Sequence, residues 1–314
     1  MDKSKLHVLE LGRWSGGGGS LLRNIHLAKN IYPKKFSNYG VPVVLRNVVS
    51  PGKLLSGDYI YMPQNAWAWH GPVLSFDEWR RRTFLRISSE MAYLRMKKLV
   101  RIGPLIPDHD SSSESILANV LDEGFEQSYK ETEKISSVNW LPSEKYFLVP
   151  GSMWGYRNLD VVIEAYREYR KLGGESSLVL VGVMHKGSGA ATTLKNAKNQ
   201  EGLYIVNKNV GRSELLYAMK RAEACVLASV VEASPVTLIE AGALGIPIIA
   251  WRHDGYQFLA KENRLENVMF VTSGSELCGA FQKQLDRVEH EISDARVRKK
   301  KREEWAGRFV GLSV

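Results

Sequence analysis

Residues 225–251, CVLASVVEASPVTLIEAGALGIPIIAW, decide how the rest of the chain is read. An apolar run at 225–229 leads through a turn holding Ser234 and Pro235 into a small-residue helix at 236–244. A Gly245-Ile246-Pro247 turn then opens a second apolar run at 248–251. This is a strand-helix-strand unit. Two adjacent parallel strands need a crossover, so the helix lies on the sheet, and Ala241, Gly242 and Ala243 permit a close approach. The strand-to-helix turn becomes a crevice in which the N–H groups of Ser234, Val236 and Thr237 lack intrahelical partners beside the positive end of the helix dipole. An anion fits there.

Glu232 precedes that helix and Glu240 lies within it. Carboxylates beside an anion site repel phosphate but suit hydroxyls, so the pair points to a ligand with both a diphosphate and vicinal hydroxyls. The string Ser229-x2-Glu232-x7-Glu240-Ala241, followed by Gly245-x-Pro247-Ile248-Ile249-Ala250, resembles the E-x7-E region of the family-four retaining glycosyltransferases of GT-B fold. For the Glu pair alone, an ordinary Rossmann-like unit with two solvated carboxylates is the alternative. The resemblance implies an α/β architecture of two Rossmann-like domains facing across a cleft, with a C-terminal helix crossing back. It gives Glu240 the ribose hydroxyls and Glu232 the hydroxyls of the donor sugar. The turn of Ser234, Pro235, Val236 and Thr237 meets phosphate and sugar.

A second match begins at Gly151. The family clamps the donor diphosphate with an Arg after this Gly and a Lys five residues later; here Ser152 takes the first position and Arg157 the second. The cationic clamp is halved, although Arg157 still offers a bidentate phosphate donor. Lys186 and Arg252, both in loops after apolar runs, are candidates for the missing cation. Backbone of the 208–211 loop, ending at Gly211, reads the nucleobase in the family, and Ser213 is the expected cap of the helix that follows.

The first part of the chain opens with an apolar run, 6–11, then Gly16-Gly17-Gly18-Gly19-Ser20, then a helical pattern through Leu21, Leu22, Ile25, Ala28 and Ile31. Strand, glycine loop and helix are expected, with Gly16, Gly17 and Gly18 free to let backbone approach a ligand; a plain turn is the alternative. Runs at 41–49 and 59–62 read as strands. After the second, His70 is the nearest match to an acceptor-side His of the family, with Gln64 and Asn65 as polar neighbours and the nearby tryptophans as a stacking platform for sugar. Residues 76–99 form a basic helical pattern, read foremost as a helix on the sheet with a solvated basic face, and otherwise as a helix lying on an anionic membrane. Asp108, His109 and Asp110 are adjacent in a loop and do not converge on one metal ion.

The expected domains are 1–143, acceptor side, and 144–294, nucleotide-sugar side, with 295–314 returning to the first. The run RVRKKKR at 296–302 reads as the solvated side of that docked helix, because Trp305, Phe309 and Val310 follow at helical spacing.

Across 314 residues, 44% hydrophobic and 25% charged, the composition is that of a globular protein with two buried cores. No apolar run is long enough to span a bilayer, and residues 1–11 lack a signal-peptide core, so cytoplasmic residence is expected. Cys225 and Cys278 read as buried thiols. A net charge of +9 suits a phosphorylated ligand or peripheral contact with an anionic inner-membrane face. Nucleic acid ranks last, since no zinc-finger, RNP or helix-turn-helix spacing is present.

Together these imply a metal-independent hexosyltransferase. It would need no cofactor and would use a UDP-, GDP- or other nucleoside-diphosphate sugar and a hydroxyl acceptor that is a glycan, lipid-linked or small. An epimerase or hydrolase of the same donor and a non-catalytic sugar-nucleotide-binding partner are the alternatives.

Overall fold

The computed structural model describes residues 6–9, 16–36, 41–44, 59–63, 66–70, 73, 75–94, 96, 98–106, 116–185 and 188–313. A first parallel sheet has the order β1 (Leu6–Leu9), β2 (Val41–Val44), β3 (Ile60–Tyr61), β4 (Lys98–Leu99). Helix α1 (Gly16–Ile31) follows β1, and helix α2 (Phe76–Tyr93) precedes β4. Short helix α3 (Glu123–Glu131) leads toward the second sheet.

That second sheet alternates strand and helix without exception: β5 (Tyr146–Pro150), α4 (Leu159–Lys171), β6 (Ser177–Val181), α5 (Ala190–Ala197), β7 (Leu203–Val206), α6 (Arg212–Arg221) and β8 (Ala224–Leu227). It continues through α7 (Val236–Ala243), β9 (Ile248–Trp251), α8 (Asp254–Glu262), β10 (Val268–Val271) and α9 (Gly274–Phe281). The strands are all parallel in the order β7-β6-β5-β8-β9-β10, a doubly wound arrangement that reverses direction between β5 and β8.

Strand side chains alternate between two covered faces. Tyr146, Leu148, Cys225 and Ile248 pack under α6, α7 and α8. Phe147, Val149, Leu178 and Val226 pack against α4, α5 and α9. Both cysteines are buried free thiols. At Gly242 an added Cβ would stand 2.5 Å from a methyl of Leu265, in the loop before β10. Leu121 and Phe125, from α3 and just before it, join the second sheet's core although they precede residue 144.

Helix α10 (Ala295–Ser313) crosses back. Its Trp305, Ala306, Phe309 and Val310 are buried with Leu6, Leu21 and Ile25 in the first domain's core. The basic run on this helix is not wholly solvated, contrary to expectation. Arg298 and Arg302, one turn apart, are buried and share the Glu126 carboxylate at 2.7 and 3.1 Å, while Lys299 and Lys300 stay at the surface.

Two local expectations change. The four glycines 16–19 lie within the first turn of α1, not in a loop, because helical hydrogen bonding set by Leu21 to Ile31 extends through them. The helical pattern read over 76–99 ends as a helix at Tyr93, and Lys98–Leu99 form β4 instead.

Candidate functional site

The reversal between β5 and β8 opens a crevice at the carboxyl ends of those two strands. Arg157 enters it from the loop after β5 and Glu232 from the loop after β8. The Arg157 Nη1 to Glu232 Oε1 distance is 2.9 Å, and Nη1 also donates to Ser229 Oγ at 3.0 Å. Ser229 in turn donates to Glu232 Oε1 at 3.2 Å. The backbone aims these groups. Asn158 takes the left-handed conformation (φ 57°) that Asn tolerates, ending the turn of Arg157 and starting α4. Val230 N–H donates to Tyr156 O at 3.0 Å, tying the two loops together.

Beneath this pair lie Tyr256 and His253, from the start of α8. Burial first and the Glu232 carboxylate next raise the Tyr256 hydroxyl well above its usual range, so it stays protonated. His253 Nδ1 accepts the Gly255 N–H at 3.0 Å, which leaves the ring proton on the buried Nε2. Burial lowers its pKa to about 4, so the ring is neutral near pH 7.

Glu240 is buried in α7 and already engaged. Arg212 grips its Oε1 through Nε at 2.8 Å and Nη2 at 2.7 Å. The same guanidinium donates through Nη1 to Asp122 at 3.0 Å, and Asp122, fully buried, also pairs with Arg23 of α1 at 2.9 Å. A ladder of alternating charge, Arg23–Asp122–Arg212–Glu240, therefore joins α1 to the second domain.

The Ser234 turn is less open than its sequence suggests. Asn119 donates its N–H to Ser234 Oγ at 2.9 Å and its Nδ2 to Ser234 O at 2.8 Å. Val231 and Ala233 sit in the first domain's core, and a Cβ on Gly103 would lie 1.8 Å from Ala233 O. Val236 is buried, while Pro235 and Thr237 keep partial exposure at the helix start. The first domain thus closes one side of this crevice.

A further carboxylate crosses between domains. Glu78, buried on α2, accepts from Gly155 N at 3.1 Å, Gly189 N at 2.9 Å and Ser188 Oγ at 3.3 Å. Beside it the Arg81 guanidinium lies 4.8 Å over Trp154, which stacks on His185 at 3.9 Å.

With this geometry in place, the sequence model for "Glycosyl transferases group 1" matches residues 130–304, more than half of the chain. The chain belongs to this family. No curated protein matches it. Among solved structures, α,α-trehalose 6-phosphate synthase of Burkholderia multivorans is 13% identical with a TM-score of 0.61, covering 96% of this chain and 78% of that one. WaaG, a glycosyltransferase involved in lipopolysaccharide biosynthesis, is 14% identical with a TM-score of 0.58 and covers 98% and 95%. A trehalose-6-phosphate structure from E. coli bound with UDP-2-fluoro glucose is 12% identical with a TM-score of 0.59, covering 94% and 77%. The shared fold is the GT-B arrangement of two facing Rossmann-like domains.

Set in this glycosyltransferase fold, the expected residues divide. Arg157, Glu232 and Ser229 converge, with Ser152 in the same loop as Arg157. Gly211 caps α6, two residues earlier than the Ser213 cap expected, and has open space where a Cβ would be. His70 is exposed at the end of a turn, its N–H on Ala66 O, and among the described residues no contact joins it to Arg157 or Glu232. The tryptophans near it are no open platform: Trp67 is buried against Tyr156, and the Trp69 indole donates to Glu90 at 3.0 Å. Arg252 is exposed directly after β9, where hydrogen bonds from Thr272, and then the Arg252 charge, lower the pKa of Glu276. Gln64, Asn65, Asp108, His109, Asp110 and Lys186 lie outside the described residues.

Sequence reading missed Glu78, Asn119, Asp122 and Arg212. Arg212 had a local signal, being a cation directly after the loop assigned to the nucleobase. The others reach the site only through contacts across 77 to 115 residues of chain. Among the described residues no three His, Cys, Asp or Glu side chains are grouped to hold a metal ion, and no helix is long and apolar enough to cross a membrane.

Proposed function

We propose that this glycosyltransferase moves a hexosyl unit from a nucleoside-diphosphate sugar to an acceptor hydroxyl, with retention of anomeric configuration. The observation that carries the reading is the Arg157–Glu232 pair, 2.9 Å apart at the point where the sheet reverses. In this reading the bond from the anomeric carbon to the diphosphate oxygen breaks, the acceptor oxygen bonds to that carbon, and the acceptor proton passes to the leaving phosphate. Arg157 exchanges Glu232 for the diphosphate and stabilises the charge that develops there. Glu232 is released to accept from hydroxyls of the donor sugar. Electrostatic stabilisation is assigned to Arg157 and the first amides of α7, with no metal required; turnover unchanged by a chelator is the expected result.

Glu240 takes the ribose hydroxyls once Arg212 lets it go, and Arg212 then supplies the second cation absent at Ser152. Nucleotide entry exchanges one set of charge-assisted bonds for another. Titration of UDP and GDP against wild type, Glu240→Ala and Arg212→Ala tests this. Each variant should weaken binding, by roughly 1.5–3 kcal/mol per charged hydrogen bond lost. Tighter binding by Arg212→Ala would show that Arg212 only obstructs the nucleotide. For the chemistry, Arg157→Ala should lower turnover about 10²–10³-fold, and Arg157→Lys should recover part of it. Full activity in both variants would overturn the assignment.

A second reading, a non-catalytic sugar-nucleotide-binding partner, is favoured by Ser152 in the clamp and by the satisfied Glu240–Arg212 pair. Donor affinity and donor turnover measured on one sample separate the two: binding with no turnover in any acceptor mixture supports the partner.

A further inference from the structure

Helix α2 packs Leu85, Ala92 and Tyr93 inward but carries a second, larger apolar face on its outer side. Its inward positions are Glu78, Ser88, Ser89, Ala92 and Tyr93, all buried. Its outward positions are Phe76, Trp79, Phe84, Ile87 and Met91, with Leu94 just beyond, and their exposure runs from 48% at Met91 to 83% at Leu94. These six make up more than half of the eleven large hydrophobic residues exposed among the described residues. At 3.6 residues per turn they fall within an arc of roughly 140° along a helix about 27 Å long. Phe76 and Trp79 stack on each other at 5.6 Å on this outer arc.

Cations surround the stripe. Arg80 lies within the arc, Arg86 on one edge and Arg81 beyond the other, all exposed; of the acidic residues on the helix, Asp77 is exposed and lies 3.9 Å from Arg80. Glu78 and Glu90 are turned inward to Gly155 and Trp69. Polar groups thus point into the protein while an apolar ridge with guanidinium groups points out. Core packing explains none of that ridge, since a helix gains nothing from exposed aromatic residues.

We propose that the outer face of α2 docks on an anionic lipid surface. A helix lying in the interface plane sinks its apolar stripe into the boundary between headgroups and acyl chains and keeps its arginines level with the phosphates. Phe76, Trp79, Phe84, Ile87 and Leu94 supply the buried area, and Arg80, Arg81 and Arg86 the attraction. The chain's net charge of +9 acts in the same direction. Self-association about a two-fold axis would set Arg80 and Arg86 against their own copies, which charge opposes. This inference is independent of donor identity and of the roles given to Arg157 and Glu240.

The test is co-sedimentation of the full chain with phosphatidylcholine vesicles, with and without one-third phosphatidylglycerol, at low and high salt. Wild type should pellet with the anionic vesicles at low salt and stay in solution with the neutral ones. Phe84→Ser combined with Ile87→Ser, and separately Arg80→Glu combined with Arg86→Glu, should each lower partitioning by about tenfold or more. Both variants should keep the wild-type melting curve by circular dichroism, because these side chains are exposed. Failure of wild type to pellet with anionic vesicles overturns the proposal, as does equal pelleting with neutral ones or undiminished pelleting of the Phe84→Ser, Ile87→Ser variant. A wild-type dimer in sedimentation velocity that this variant disperses would assign the face to a second copy instead.

Discussion

Helices α2 and α10 are alike in the features a sequence displays first. They have 18 and 19 residues, both carry clusters of basic residues, and both hold bulky apolar side chains at helical spacing. Their fates are opposite. Helix α10 buries its apolar residues with those of α1 and turns two arginines inward, where Glu126 and the carbonyls of Leu121, Ile292 and Ser293 accept them. Helix α2 buries two serines and a glutamate beside Ala92 and Tyr93 and leaves its largest apolar side chains outside. What separates them is the supply of acceptors on the surface they meet. A basic run is drawn inward where a carboxylate and free carbonyls wait for it, and net charge along the helix predicts neither outcome.

The difference can be broken most severely at Glu126. Glu126→Ala leaves Arg298 and Arg302 buried without their shared carboxylate, and removal of one partner of a buried pair should destabilise the fold by about 3–5 kcal/mol. Urea denaturation measures it; a loss below about 1 kcal/mol would mean that carbonyls and water satisfy both arginines.

Acid provides a graded version. Burial alone would raise the Glu126 pKa, but hydrogen bonds and charge from Arg298, then Arg302, outweigh it and hold the carboxylate below 4.5. Its stabilisation is complete above the unfolded value and lost as pH falls below about 4.5. His253 acts earlier and in the same direction. Unfolded imidazole takes its proton below pH 6.5 and the buried ring only below about 4, so stability present above 6.5 drains away across that window, by at most about 3 kcal/mol. Unfolding midpoints from pH 7 to 3 should show a first decline that His253→Gln reduces, since burial also lowers His185 and His290, and a second that it leaves unchanged.

The smallest effect belongs to α2. Phe84→Ser and Ile87→Ser should each change unfolding free energy by no more than about 0.5 kcal/mol, as expected for exposed sites. A loss of several kcal/mol would place those side chains in a core and remove the contrast with α10.

Sequence made the second domain legible because its signals are local. The buried runs at β5, β6, β8 and β9 and the small residues of α7 act over a few positions, and Ser229, Glu232 and Arg157 were picked out by short motifs resembling those of the family. The first domain was less legible. Its strands are short, its glycines 16–19 continue a helix, and its second helix breaks the usual match between apolar face and core. In the site, Glu240 could be placed from spacing, but its partner Arg212 and the buried Asp122 behind it could not. Periodicity shows which face a residue takes and is silent on what comes to meet it from 90 residues away.

The return of α10 also sets an order of assembly during synthesis. Trp305, Ala306, Phe309 and Val310 leave the ribosome after every strand of the second sheet, yet they complete the core around Leu6, Leu21 and Ile25. Nascent chains usually close their amino-terminal domain first. Here the second domain can finish while the first still lacks a wall, so Leu6, Leu21 and Ile25 wait for their partners until α10 arrives.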